Sequence, residues 1–93
     1  MTSDKYNYRL KETNYAKVIE RLDGSIAPGE LSLVQRTGRM VTYDCDWVGG
    51  AYINVTDNNE EVKIELDGNA DGFPEVEGFL EKILEINLED ADE

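Results

Sequence analysis

Histidine is absent from the chain, and cysteine occurs once, at Cys45. Without histidine the ordinary serine and cysteine triads and most zinc sites are excluded. A lone cysteine cannot close an internal disulfide, which points to a reducing cytoplasm. The chain has no run of eighteen apolar residues to span a membrane, and the opening MTSDKYNYRLKE lacks the apolar core of a secretory signal. It also has no glycine-rich phosphate loop. With 93 residues it is expected to form one domain over 1–93, frayed at 1–4 and 89–93 and too small for a separate substrate domain. An enzyme is therefore not expected.

Positive charge is the other scarcity, and it is unevenly placed. Residues 1–39 hold seven bases and five acids, a balance of +2; residues 40–93 hold only Lys63 and Lys82 against sixteen acids, a balance of −14. That later segment repels nucleic-acid phosphates and attracts a basic protein surface.

The organising stretch is Met40 to Leu66. Val41, Tyr43, Cys45 and Trp47 alternate with Thr42, Asp44 and Asp46; Ile53 and Val55 alternate with Tyr52, Asn54 and Thr56; Val62, Ile64 and Leu66 alternate with Glu61, Lys63 and Glu65. A period of two with one apolar set predicts three strands covered on one face and wet on the other. Leu31 to Arg36 predicts a fourth strand with Leu31 and Leu33 inward, joined to Met40 by a hairpin at Thr37-Gly38. Gly49-Gly50 and Asp57-Asn58-Asn59 supply the other turns. Tyr6, Tyr8 and Leu10 suggest a short strand at the N-terminal edge. Cys45 reads as a small buried hydrophobe beside Tyr43 and Trp47.

Two helices are expected. Tyr15, Val18, Ile19 and Leu22 recur at helical spacing between a cap at Thr13 or Asn14 and a stop at Gly24. Pro74 opens the second, with Val76, Phe79, Leu80, Ile83 and Leu84 on one face and Glu77, Glu81, Glu85 and Glu89 on the other. The fold class is α+β: an antiparallel four-stranded meander, with a fifth N-terminal edge strand, under two helices packed on one face.

Two acidic surfaces follow. On the helix, like charges at i and i+4 cost about 0.2 to 0.5 kcal/mol per pair, so local stability does not explain the glutamate stripe. On the open sheet face Asp44, Asp46, Glu61 and Glu65 surround Tyr52, an amphipathic anchor of the kind interfaces favour. With helices on the opposite side, the two surfaces lie on different faces. Arg9 and Lys11 would neutralise part of the sheet patch if the N-terminal strand pairs at the edge.

Asp67-Gly68-Asn69-Ala70-Asp71-Gly72 resembles the first half of a calcium-binding EF-hand loop over about nine residues, with Glu75 at the ninth place. Gly78 stands where a bidentate carboxylate closes such a loop, and Pro74 where an aliphatic side chain stands. Asp, Asn and Gly also serve any strand-to-helix turn.

The expected function is a cytoplasmic acidic inhibitor. Its carboxylates stand in for phosphates on the basic, nucleic-acid-binding surface of a partner protein, as a phage-encoded antagonist of host defence or a nuclease-toxin immunity protein would do. The binding residues are Asp44, Asp46, Tyr52, Glu61, Glu65, Glu77, Glu81, Glu85 and Glu89; no cofactor, metal, direct nucleic acid or membrane partner is expected. The alternatives are a calcium-binding module using residues 67–75, or a non-specific acidic domain serving solubility or adapted to high salt.

Overall fold

The computed structural model describes residues 7–10, 14–59 and 61–86. The chain forms an α+β fold, in which β1 (Asn7–Leu10), β2 (Leu31–Thr37), β3 (Met40–Cys45), β4 (Ala51–Asn58) and β5 (Glu61–Gly68) make one antiparallel sheet. The order is β1-β5-β4-β3-β2: a four-stranded meander, with the N-terminal strand added as the fifth, at the edge beside β5. Helices α1 (Tyr15–Asp23) and α2 (Phe73–Leu84) supply the covering layer.

Alternation determines which face they cover. Val41, Tyr43 and Cys45 on β3, Ile53 and Val55 on β4, and Val62, Ile64 and Leu66 on β5 are all buried. They join Val18, Ile19 and Leu22 of α1 and Phe73, Val76 and Leu80 of α2 in one core. Full burial of such side chains is worth about 1.5 to 3 kcal/mol each. Asn14 starts α1 by accepting the Ala16 and Lys17 N–H groups at 2.8 and 3.4 Å, which satisfies donors the first helical turn leaves open. Thr13, the other candidate cap, lies outside the described residues.

Three expectations change in the structure. β3 ends at Cys45, because the Val48 N–H turns back to the Cys45 carbonyl at 3.0 Å. The turn reverses the parity of the next residues: Val48 is buried and Trp47, expected in the core, is 43 % exposed. Leu33, expected inward, is 45 % exposed. It pairs with Tyr43 and so sits on the covered side, but β2 is an edge strand, with no neighbour beyond it among the described residues. The ladder also skips Val34 between Leu33 and Gln35, and this bulge turns Arg36 to the helix side opposite Val41. There Arg36 Nη2 meets Asp23 at the end of α1 at 3.2 Å, and the Tyr43 hydroxyl donates to the same carboxylate at 2.7 Å. Finally, α2 ends at Leu84, and Glu85 takes a left-handed conformation with φ of 58°. It therefore leaves the helical stripe to which its spacing assigned it.

Glycine is required where β4 and β5 join their connections. A side chain on Gly68, whose φ is +98°, would place its Cβ 1.9 Å from the Gly50 carbonyl oxygen. One on Gly72 would meet Val48 Cγ1 at 2.0 Å. These close approaches seat the β3–β4 connection against the strand-to-helix turn.

Candidate functional site

The sheet register brings the predicted residues of the open face into rows. Asp44 on β3 faces Tyr52 on β4, and Tyr52 faces Asp67 on β5. The next row runs Thr42, Asn54, Glu65 and Asn7, with Thr42 donating to Asn54 at 2.7 Å. Neighbouring strands lie about 4.8 Å apart, so Asp44 and Asp67 flank the tyrosine across about 10 Å. Asp46 lies just past the end of β3. Its carboxylate accepts from Ser32 Oγ, 2.8 and 3.0 Å from its two oxygens, and Ser32 itself pairs with Asp44.

Asp67 belongs to this set, although its sequence context places it in the calcium-like loop and not on the sheet face. Its glycine-rich context suggested a loop, but β5 continues through Gly68, so the alternation Glu61, Lys63, Glu65 extends to Asp67 on the same face. Among the described residues, Asp44, Asp46, Glu65 and Asp67 form no ion pair with a base. Beneath them Cys45 is buried, and burial first, then the charges of Asp44 and Asp46, push its thiol up to about 12. A thiol held neutral in this way is a packing group, not a nucleophile.

The other end of the open face is balanced. Glu61 accepts from Asn58 Nδ2 at 3.1 Å and lies 3.8 Å from Arg9, which β1 brings in at the edge. Lys63 faces Arg9 on one side and Thr56 on the other. Of the four sheet carboxylates predicted from sequence, Glu61 is therefore compensated within the fold, while Asp44, Asp46 and Glu65 group with Asp67 and Tyr52. Lys11 lies outside the described residues.

The helix carboxylates have different surroundings. Glu77 is half-buried and accepts a hydrogen bond from the hydroxyl of Tyr8, a core residue of β1. Glu85 lies 3.7 Å from Arg21 of α1, which also donates to the Ile83 carbonyl at 2.7 Å and so caps the end of α2. Glu81 is half-buried, and its carbonyl accepts the Ile86 N–H at 3.2 Å. Glu89 lies outside the described residues. Among the described residues the expected stripe is thus not a continuous open surface: Glu77 and Glu85 hold α2 to β1 and α1, on the side of the sheet away from Tyr52.

The calcium-like sequence serves as the strand-to-helix connection. Asp67 accepts the Gly68 N–H at 2.8 Å, and Asn69 accepts the Asp71 N–H at 3.1 Å to cap a short 3₁₀ turn over Ala70–Gly72. Asn69 Nδ2 also donates to the Gly49 carbonyl at 3.4 Å. Among the described residues no group of three histidine, cysteine, aspartate or glutamate side chains is placed to hold a metal ion.

A second feature was not anticipated from sequence. Beside Trp47, a groove of about 410 Å³ runs between α2 and the turn before β2. Glu75, Gly78, Phe79 and Lys82 share one side of α2 at steps of three and four residues and form one wall; Gly29 and Glu30 form the other. Trp47 packs on Phe79, with ring centroids 4.7 Å apart and planes tilted by 54°. Gly78 is exposed, and a Cβ there would meet no atom within 4 Å. Glycine within a helix costs about 1 kcal/mol relative to alanine, so packing does not account for it.

Among the described residues no helix is long and apolar enough to cross a membrane. No protein-family model, curated protein or solved structure matches the chain.

Proposed function

We propose that the protein is an acidic inhibitor that occupies the basic, nucleic-acid-binding surface of a partner protein, using the open face of its sheet. The observation that carries this reading is the row Asp44–Tyr52–Asp67, with Asp46 and Glu65 beside it and no base paired to any of the four carboxylates among the described residues. A tyrosine between carboxylates joins an apolar contact to a negative field, which suits a surface built of arginines, lysines and exposed apolar stems. The −14 balance of residues 40–93 adds long-range steering toward such a partner, so association is fast and falls steeply with salt. The carboxylates take the place of phosphates, and the partner loses access to its nucleic acid. Of the two carriers of negative charge named from sequence, the sheet face is favoured, because Glu77 and Glu85 already serve contacts within the fold.

Capture from the native cell at low salt, eluted with a salt gradient, tests the reading when run beside the D44N/D46N/D67N variant. The expected result is a nucleic-acid-binding protein retained by the wild type, released by the variant and competed off by nucleic acid. A retained protein indifferent to both the three substitutions and added nucleic acid would overturn it.

A further inference from the structure

We infer that the groove beside Trp47 is a receptor for an arginine side chain presented by a basic protein. Trp47 is 43 % exposed even with Phe79 against it, so part of the indole remains open to a ligand. A guanidinium stacks on an indole face and is weakly hydrated for a cation, which makes arginine the best match to this surface. Among the described residues the lining carries two carboxylates, Glu30 and Glu75, against one ammonium, Lys82. Glu75 and Lys82 are seven residues apart on α2, about 10 Å along its axis, so the groove has an acidic end and a basic end. The guanidinium lies at the end marked by Glu75, with Glu30 on the facing wall. Gly78, midway between Glu75 and Lys82, lines the groove, and a Cβ there would meet no atom within 4 Å, so the wall is low at this point.

This inference rests on the proposed function in one respect, that the partner is basic. It adds a specific contact on the helix side of the same end of the sheet: Asp46, of the acidic face, and Trp47, of the groove, are consecutive residues. A partner that lies over Asp44, Asp46 and Asp67 can therefore reach the indole around the end of β3.

Trp47 is the only tryptophan, so its indole N–H gives a single resonance that reports on the groove. The probe is the capped tripeptide Gly-Arg-Gly, titrated into the full chain beside the same peptide with citrulline or leucine in place of arginine. The arginine peptide is expected to shift the indole signal with millimolar affinity, and the uncharged peptides to shift it at least about fivefold less at equal concentration. E30Q and E75Q are each expected to weaken the arginine response severalfold. G78L is expected to abolish it while leaving the melting temperature equal or raised, because leucine favours the helix more than glycine does; this keeps the variant informative about binding. D44N/D46N/D67N is expected to retain the response, which separates the groove from the sheet face. An indole signal unmoved by arginine, moved equally by all three peptides, or still moved in a folded G78L variant would overturn the inference without touching the reading of the sheet face. Loss of partner capture in D44N/D46N/D67N alone would support that reading without supporting this one.

Discussion

The acids of the open sheet face and the acids of α2 look alike in sequence and occupy different physical situations. Among the described residues, Asp44, Asp46, Glu65 and Asp67 gather around Tyr52 on a surface that no helix covers, and no base pairs with them. Glu77 and Glu85 accept from or pair with Tyr8 and Arg21, which come from other elements, so they secure the covering layer. A carboxylate engaged within its own fold has less to offer a partner. Residue type and spacing alone therefore overstate the helix and understate the sheet.

Substitutions can separate the two roles. The largest expected effect is on the frame of the sheet site. G68A sets a Cβ against the Gly50 carbonyl in a left-handed backbone, so it is expected to lower stability by about 3 kcal/mol, read as a shift in the urea midpoint. It should also blunt partner binding by moving Asp67 from its place opposite Tyr52. D44N/D46N/D67N is expected to weaken partner binding about 100-fold at low salt, close to 2.7 kcal/mol, with little change in melting temperature. If that variant instead lowers the melting temperature and leaves binding intact, the two regions have been assigned the wrong way round.

Glu77→Ala leaves the hydroxyl of Tyr8, a residue only 2 % exposed, without its acceptor. It is expected to lower stability by about 1 to 3 kcal/mol and to leave partner affinity unchanged. Glu85→Gln is expected to shift stability by less than about 1 kcal/mol, since the pair with Arg21 is exposed and screened. Equal losses of partner affinity in Glu77→Ala and the sheet variant would remove the distinction.

The last test is alkaline. In the folded chain Tyr43 is raised well above its ordinary 10.0, chiefly by burial and then by its hydrogen bond to Asp23, and Cys45 is raised from 9.0 to about 12. The neutral forms are favoured by folding, so their stabilisation is complete below the unfolded values and is lost as pH rises. For Cys45 the window runs from about 9 to about 12. Unfolding midpoints measured across it should fall by up to about 1.4 kcal/mol per pH unit for each group. Cys45→Ala should remove its share of the slope, and D44N/D46N should move the upper end of the thiol's window slightly downward.

Much of the fold was legible in the chain. Alternation in Met40 to Leu66 identified β3, β4 and β5 and their buried sets, and helical spacing with Asn14 and Pro74 identified α1 and α2. Several misses come from a local change of backbone direction over one or two residues. The turn after Cys45 put Trp47 outside and Val48 inside, the bulge at Val34 turned Arg36 toward Asp23, and the left-handed Glu85 ended the helical stripe. Asp67 was missed because a glycine-rich run reads as a loop even where the ladder continues.

What the sequence determined by itself was therefore local and additive: the two hydrophobic periods, the caps and turns, and a negative charge concentrated after residue 39. Those properties depend on neighbours a few positions away. Tertiary structure alone decided which charges are engaged and which surfaces remain open. Tyr8 reaches Glu77 across 69 residues and Arg21 reaches Ile83 across 62, and both contacts depend on how α2 settles on the sheet and on α1. The same settling leaves Tyr52 among carboxylates that no base of the described residues pairs with on one face, and Trp47 beside Gly78 at the margin of the other. A side chain's period selects the face it occupies; what else occupies that face is set by packing between segments that lie far apart in the chain.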